Sequence, residues 1–206
     1  YYELLFDKYF VTMNLHRRFV MLDKKSIKKE LERGSIYVEG GMEQLELNSI
    51  LVTLGDTVKV YDAPYLDLKN ATSTREFVIP EEGFILKPNE LYIGRTQEFT
   101  KTYGFVPLLS GLEELAAIGM EVHVTAGFGD NGFEGTWTLE IVCSNPTRVY
   151  KGMPVGRLYY YPLIGDADIE YRGKYYRQID PTASKLNEEY SKEKGLVRER
   201  VNNKRN

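Results

Sequence analysis

Glu140 is the side chain in this sequence that most directly offers acid–base chemistry. It lies in TWTLEI (136–141), where three apolar residues alternate with three polar ones: Trp137, Leu139 and Ile141 against Thr136, Thr138 and Glu140. A period of two predicts a β-strand with one buried face. A carboxylate on the other face either meets solvent or, where that face borders a polar pocket, accepts a proton from water as a general base. The pattern alone leaves both interpretations open.

GFGDNG (127–132) has the glycine spacing of a dinucleotide-binding loop. Such a loop leads into a helix whose N-terminus binds pyrophosphate, whereas a strand pattern follows here. The pair Asn131-Gly132 is a tight-turn signal, so we expect the tip of a β-hairpin. His123, a single histidine among apolar residues, is interpreted as structural.

The segment YRGKYYRQIDPTASK (171–185) combines cationic, aromatic and amide side chains with Gly and Pro. One interpretation is an ordered surface loop. The other is a flap in which Lys174 and Gln178 bind an anionic ligand while an aromatic ring such as that of Tyr171 covers it. The sequence does not separate the two.

SGLEELAAIG (110–119) predicts a short helix within a chain that is otherwise rich in β-structure. Ser110 and Glu113 have the spacing of a capping box. Leu112, Leu115 and Ala116 fall at helical spacing and are expected to pack inward. On this interpretation Glu113 caps the helix and Glu114 faces solvent.

The remaining sequence predicts the elements that position these side chains. DKKSIKKELERG (23–34) predicts a helix that begins at Asp23 and ends at Gly34. From Ser35 onward, short β-branched and aromatic runs separated by turn residues predict a mainly β sandwich or barrel. Residues 186–206 are highly charged and suggest a solvated helix or a frayed tail. Residues 1–20 are either a docking extension or an untidy terminus.

Composition restricts the function further. The 206 residues suit one domain, and a net charge of −3 provides no cationic field for nucleic acid. A single cysteine, Cys143, excludes an internal disulfide and favours a reducing compartment, the cytoplasm. With two histidines, a zinc site would draw mostly on carboxylates, so we expect no bound metal. No apolar run reaches membrane-spanning length, so we expect no membrane partner.

Several stretches resemble the dCTP deaminase branch of the dUTPase-like superfamily. The most specific are HVTAGFGDNGFEGTWTLEI (123–141), Pro146 and KGMPVGRLYYYPL (151–163). MLDKKSIKKELERGSIYVE (21–39) resembles the N-terminal helix and first strand of that family, and EQLELNSILVTLGD (43–56) resembles its next segment. GKYYRQIDPTASK (173–185) resembles its C-terminal flap. The likeness covers residues 21–185, which leaves 1–20 as an extension and 186–206 as a charged tail. It implies a distorted β-barrel or jelly roll that assembles as a homotrimer with active sites between subunits.

The resemblance also implies an activity, the zinc-independent hydrolytic deamination of dCTP to dUTP and ammonia in pyrimidine deoxynucleotide metabolism. Some members continue to dUMP and pyrophosphate. No tightly bound cofactor is implied, although Mg²⁺ can accompany the nucleotide. The ligand expected is a deoxycytidine nucleotide, dCTP or its product dUTP.

Site residues follow from the same resemblance. The family's catalytic glutamate falls on Glu140, and the aspartate that contacts the deoxyribose 3′-hydroxyl falls on Asp130. The backbone of Thr138 and Leu139 would read the base edge, and the carbonyl of Ala126 would flank the attacking water. Tyr171 would cover the phosphates, and Lys174 and Gln178 would hold them.

The chain departs from the family at GLEELAA (111–117), where G-R-S-S-x-x-R is usual. Leu112, Glu113 and Glu114 replace the phosphate-binding Arg-Ser-Ser, and Ala117 replaces a second arginine. A carboxylate a few ångströms from a phosphate repels it by roughly 1 kcal/mol in water and by several at lower dielectric. Two alternatives therefore stand beside the deaminase: a catalytically impaired, trimeric nucleotide-binding or regulatory relative, and a deaminase for a less phosphorylated substrate.

Overall fold

The computed structural model describes residues 20–123, 126–165 and 167–191. Most of the predicted extension 1–20 and the tail beyond Ser191 therefore lie outside the described residues. The helices are α1 (Lys24–Arg33), α2 (Glu113–Ala117) and α3 (Leu186–Ser191). The strands are β1 (Ile36–Val38), β2 (Ile50–Thr53), β3 (Thr57–Tyr61), β4 (Thr74–Val78), β5 (Phe84–Leu86), β6 (Tyr92–Arg95), β7 (Thr100–Thr102), β8 (Phe105–Gly111), β9 (Met120–Val122), β10 (Glu134–Gly135), β11 (Thr138–Cys143), β12 (Thr147–Val149) and β13 (Pro154–Pro162). None of the helices in these ranges is long and apolar enough to cross a membrane.

Helix α1 forms where the sequence predicts it. The carboxylate of Asp23 accepts a hydrogen bond from the backbone N–H of Ser26 at 2.9 Å, which caps the first turn. Gly34 ends the helix at φ +79° and donates its N–H to the carbonyl of Leu31. Ile27 is fully buried and attaches the helix to the core.

The strands pair in four antiparallel sheets. Their orders are β1-β7-β10, β4-β3-β6-β11-β9, β12-β5 and β2-β13-β8. This arrangement confirms the mainly β class with a short N-terminal helix and one short internal helix. Closure into a distorted barrel or jelly roll stays a prediction.

Strand β11 lies within the five-stranded sheet and confirms the alternation seen in the sequence. Leu139 and Ile141 are fully buried, and Trp137, just before the strand, is nearly so. On the opposite face Thr138 pairs with Arg95 of β6, and Glu140 pairs with Ile93. The sheet therefore presents the Glu140 carboxylate on the face that is turned away from the core.

Helix α2 is shorter than predicted, and the capping box is wrong. The helix begins at Glu113 after Leu112, and no side chain caps it. Ser110 instead belongs to β8, where it pairs with Arg157 of β13. The ladder between β8 and β13 keeps Ser110 extended, so its hydroxyl cannot turn back onto the first helical turn. Leu112 is buried as expected, whereas Ala116 is exposed, contrary to expectation.

The turn at Asn131-Gly132 is confirmed, but a β-hairpin is not formed there. Gly132 adopts φ +81°, and Phe133 donates its N–H to the carbonyl of Asp130 at 3.2 Å. The flanking segments pair with different strands: Phe128 bridges to Leu108 of β8, and Glu134–Gly135 pairs with β7. Long-range pairing thus separates the two arms that a hairpin would join.

Candidate active site

A cavity of about 500 Å³ opens on the face of β11 that carries Glu140. Its walls come from strands β3, β6 and β11, from the segment that precedes β11, and from residues 171–184. Aromatic and aliphatic side chains supply most of the wall: Tyr61, Leu66, Leu91, Ile93, Phe128, Phe133, Trp137, Tyr171 and Tyr175. A cavity of this size with few polar groups has the dimensions and lining of a small-molecule site.

Besides His123, six residues that the family resemblance identified line this cavity. They are Ala126, Asp130, Thr138, Glu140, Tyr171 and Gln178. They are separated by up to 52 positions along the chain and meet because the turn at Asn131 and the segment 171–184 both fold against β11. The structure therefore brings the resemblance-based residues together in one place.

The Glu140 carboxylate is held by His123. Nδ1 of His123 lies 2.8 Å from Oε2 of Glu140, and the backbone N–H of His123 donates to the carbonyl of Glu140 at 2.8 Å. The imidazole is 8% exposed and lies edge-on to the ring of Trp137 at 5.8 Å, while the carboxylate is 39% exposed. Glu140 is therefore both fixed in position and accessible from the cavity.

The tautomer of His123 follows from its contact with the Glu140 carboxylate. An ionised carboxylate only accepts hydrogen bonds, so Nδ1 of His123 must carry a proton. Nε2 of the same ring is buried and has no hydrogen-bond partner within the described residues. An unpaired buried polar atom costs about 1–3 kcal/mol, and such strain is often retained at functional sites.

His123 also has an unusual backbone conformation. Its φ is +60°, in the left-handed region that non-glycine residues rarely adopt. The residue directly follows β9, which pairs with β11 through Val122 and Ile141. The sequence interpretation of His123 as structural did not include this contact, because only the register between β9 and β11 places it beside Glu140.

Residues 171–185 form an ordered flap against the cavity. Tyr171 donates its N–H to the carbonyl of Asn131 at 2.7 Å, and Ser184 donates its N–H to the hydroxyl of Tyr61 at 3.0 Å. Between these anchors Gln178 forms a parallel bridge with Gly135. The segment is thus attached at both ends and in the middle, which fits both sequence interpretations, so its binding of an anionic ligand stays a prediction.

Two predicted residues do not line the cavity. The side chain of Leu139 is fully buried in the core, so the strand offers only its backbone there. The ammonium group of Lys174 forms an ion pair with Glu189 of α3. Partial burial is the largest single effect and disfavours the charged ammonium group, but the hydrogen bond to Glu189, together with the charges of Glu189 and the neighbouring tyrosines, raises the pKa of Lys174 overall.

The four substituted phosphate-site positions also lie outside this cavity. Leu112 is buried, whereas Glu113, Glu114 and Ala117 are exposed on α2. Glu113 contacts Nη1 of Arg157, whose Nε donates to Glu46 at 2.7 Å. The backbone N–H of Glu113 itself, and then Arg157, lower the pKa of the Glu113 carboxyl. Nothing in the sequence pattern pointed to Arg157 as the partner of this carboxylate.

Comparison with known proteins gives a consistent result. The family model for dCTP deaminase-like domains matches residues 21–163. A protein of Clostridium acetobutylicum named "dCTP deaminase, dUMP-forming" is 41% identical over 156 residues, which is 76% of this chain and 90% of that protein. A protein of Leptospira biflexa with the same name is 42% identical over 157 residues, again 76% of this chain and 90% of the relative.

A solved structure shares the fold. The 2′-deoxycytidine 5′-triphosphate deaminase of Agrobacterium tumefaciens superposes with a TM-score of 0.55 at 15% identity. The match covers 68% of this chain and 47% of that one, so the chain spans about half the length of that structure. At this identity the likeness concerns the fold alone.

The names of the relatives correct one expectation. The resemblance was interpreted as a reaction that ends at dUTP, and that product is wrong, because the relatives are named for forming dUMP. The motifs quoted from the sequence are those of the deamination site. They carry no information on whether the triphosphate is cleaved afterwards.

Proposed function

The chain belongs to the dCTP deaminase family, and from that membership we propose that it hydrolyses dCTP to dUMP, ammonia and pyrophosphate. The observation that carries the proposal is the pair formed by Glu140 and His123 in the wall of the cavity. Two water molecules are consumed for each dCTP, one at the base and one at the α-phosphate.

Glu140 performs the deamination in this proposal. Its carboxylate removes a proton from water as the water oxygen bonds to C4 of cytosine. The same proton then passes to the amino nitrogen, the C4–N bond breaks, and ammonia leaves, while the proton left on the new oxygen moves to N3 to give the uracil ring. Because His123 holds Oε2 at 2.8 Å, the other oxygen of the carboxylate faces this task in a fixed orientation.

The sugar fits the aromatic part of the cavity. The ring of Phe133 lies 5.5 Å from that of Trp137 and 6.3 Å from that of Tyr171, which forms a continuous apolar wall. Asp130, at the exposed rim, is proposed to accept a hydrogen bond from the 3′-hydroxyl. The carbonyl of Ala126 and the backbone of Thr138 and Leu139 are proposed to face the attacking water and the base.

Cleavage of the triphosphate follows on the deaminated nucleotide. Water attacks the α-phosphorus, the bond between that phosphorus and the bridging oxygen to the β-phosphate breaks, and pyrophosphate leaves with dUMP as the other product. Mg²⁺ enters this proposal only as a companion of the triphosphate. Lys174 is the flap cation proposed to approach the phosphates, once it exchanges Glu189 for them.

A homotrimer is part of the proposal. The substituted positions on α2 lie outside the cavity of their own chain, which suits a site that a neighbouring copy completes. In that arrangement Glu113 and Arg157 of one copy would face the phosphates bound by the next. Nucleic acid and membranes have no place in it, and the reaction belongs to cytoplasmic nucleotide metabolism.

The direct test is a product assay on the purified chain with dCTP and Mg²⁺. We expect ammonia, dUMP and pyrophosphate in equal amounts, with little free dUTP at any time. Glu140→Gln is the matched control, because it keeps the size of the side chain and removes the proton acceptor. Absence of ammonia at high enzyme concentration would refute the proposal, and accumulation of dUTP without pyrophosphate would refute its second step.

A further inference from the structure

The middle of the flap is seated on the edge of the three-stranded sheet. Strand β10 pairs with β7 on one side. On its other side Gly135 forms a parallel bridge with Gln178, and the N–H of Arg177 donates to the carbonyl of Glu134 at 2.8 Å. Just beyond β10, the N–H of Thr136 donates to the carbonyl of Gln178 at 3.0 Å. The flap therefore extends this sheet as a short added strand.

This seat requires glycine at position 135. A Cβ atom added to Gly135, whose φ is +142°, would lie 2.7 Å from the carbonyl oxygen and 3.2 Å from the backbone nitrogen of Gln178. A Cβ atom essentially never approaches a backbone oxygen so closely. The two backbones thus meet with no space for a side chain between them, so the flap is either seated on β10 or separated from it.

Arg177 and Glu134 form an ion pair on the outer side of this seat. Nε of Arg177 donates to Oε2 of Glu134 at 2.7 Å, and Nζ of Lys101 lies 3.5 Å from Oε1 of the same carboxylate. The Arg177 guanidinium also lies over the ring of Tyr176, 5.2 Å from its centroid. Among the described residues, the cavity is lined by Gln178 but by neither partner of the ion pair. The pair can therefore affect the cavity only by holding the flap.

Arg177 has a backbone conformation that is unfavourable for an arginine. Its φ is +60°, in the left-handed region, where the Cβ atom crowds the backbone. The hydrogen bond from Arg177 is the largest effect on the Glu134 carboxyl and lowers its pKa, so this group is ionised at neutral pH. A strained residue is thus kept in place by an ion pair whose other partner belongs to the sheet edge.

We propose that Glu134 and Arg177 are positioning residues that latch the flap onto the sheet and so keep it over the cavity. Their ion pair offsets the unfavourable conformation of Arg177. When the pair is removed, the conformation of Arg177 favours separation from β10, and Gln178 leaves the cavity wall with it. The latch acts through side chains that do not line the cavity. Its effect on dCTP rests on the proposed function, whereas the latch itself does not.

Amide hydrogen exchange tests the latch without any nucleotide. The full chain is analysed by mass spectrometry, and exchange in residues 171–185 is compared with exchange in α1. Glu134→Gln removes the charge at similar size and should speed exchange in the flap about two- to fivefold, the range for a partly exposed ion pair. Arg177→Lys keeps a cation and should exchange as the wild type does. Lys101→Met is the matched control, because it removes the other cation near Glu134 and leaves the latch, so flap exchange should not change.

Two further variants isolate the backbone strain. Arg177→Gln and Arg177→Asn both lose the ion pair, but asparagine tolerates a positive φ better than glutamine does. Once intrinsic exchange rates are taken into account, Arg177→Gln should therefore open the flap more often than Arg177→Asn. Unchanged flap exchange in Glu134→Gln and Arg177→Gln would overturn the inference.

Kinetics connect the latch to the proposed reaction. Glu134→Gln should raise KM for dCTP by about two- to fivefold and leave kcat within about twofold, because the flap contributes binding and Glu140 the proton transfer. Arg177→Lys should have a lower KM than Arg177→Gln. If flap exchange rises while KM stays unchanged in an active enzyme, the positioning role fails and the function stands. If the wild-type chain releases no ammonia, the function fails and hydrogen exchange alone decides the latch.

Discussion

His123 and Glu140 form the one pair in the cavity wall in which a side-chain nitrogen and a carboxylate lie at hydrogen-bond distance, 2.8 Å, among the residues that the structure describes. The imidazole is almost fully buried, whereas the carboxylate is open to the cavity. A buried donor that fixes an accessible base is a means of orienting that base before substrate arrives.

The first prediction concerns this orientation. His123→Gly should lower kcat for deamination by about a hundredfold, because a misplaced general base loses most of its advantage. His123→Asn should lose less, since its amide can still donate to Glu140. Both replacements tolerate the positive φ at this position, so they differ chiefly in the donor. Equal kcat values for the two variants and the wild type would show that the contact has no part in catalysis.

The second prediction concerns the ion pair between Lys174 and Glu189. If Lys174 must leave this pair to reach the phosphates, Glu189→Gln should lower KM for dCTP about two- to fivefold, the range expected for an ion pair near the surface. Glu188→Gln is the control, because it makes the same change of charge on the neighbouring residue of α3. A KM that responds equally to both variants would point to general electrostatics and not to this pair.

The third prediction concerns α2. Replacing Glu113 and Glu114 together by serine removes two carboxylates and leaves Arg157 with Glu46 alone. In the proposed trimer this should tighten dCTP binding about tenfold, because repulsion of the phosphates falls and a guanidinium becomes available. Glu43→Ser combined with Glu188→Ser changes the net charge by the same amount elsewhere. Binding that weakens, or that follows net charge in both double variants, would contradict the expectation.

The fourth prediction concerns stability. Asp23→Ala removes the cap of α1 and should lower the free energy of unfolding by about 1 kcal/mol. Asp23→Asn retains an oxygen that can accept from Ser26 and should cost less. Urea denaturation measures both, and kcat should be unchanged because α1 does not contribute to the cavity. A loss of activity without a loss of stability would connect α1 to the site.

Local signals were sufficient for the parts of the fold whose interactions are local. The cap at Asp23, the end at Gly34 and the alternation of Trp137, Leu139 and Ile141 all formed as the sequence predicts. The capping box at Ser110 failed because pairing with Arg157 on a strand far along the chain kept that residue extended. A local pattern holds only where no long-range pairing competes with it.

The candidate site was predictable in a different way. Resemblance to a family named Glu140, Asp130 and Gln178, which have no shared periodicity, and the structure brings all three to one cavity, while their roles stay predictions. It did not reveal the contact of His123 with Glu140, which depends on strand register, or the ion pair of Lys174 with Glu189, which depends on α3. Nor did it give the end product, because deamination motifs describe only the chemistry at the base.

Asn131 connects the turn beside Asp130 to the start of the flap at Tyr171. Its side chain accepts the N–H of Gly104 at 2.7 Å and donates to the carbonyls of Ala167 and Ile169, and its backbone carbonyl accepts from Tyr171. The buried Asn131 amide thus joins Gly104 to the segment 167–169 beside Asp130. The link is non-covalent, since a chain with a single cysteine has no internal disulfide. These bonds hold the position of the Asp130 carboxylate at the rim of the cavity without a covalent link.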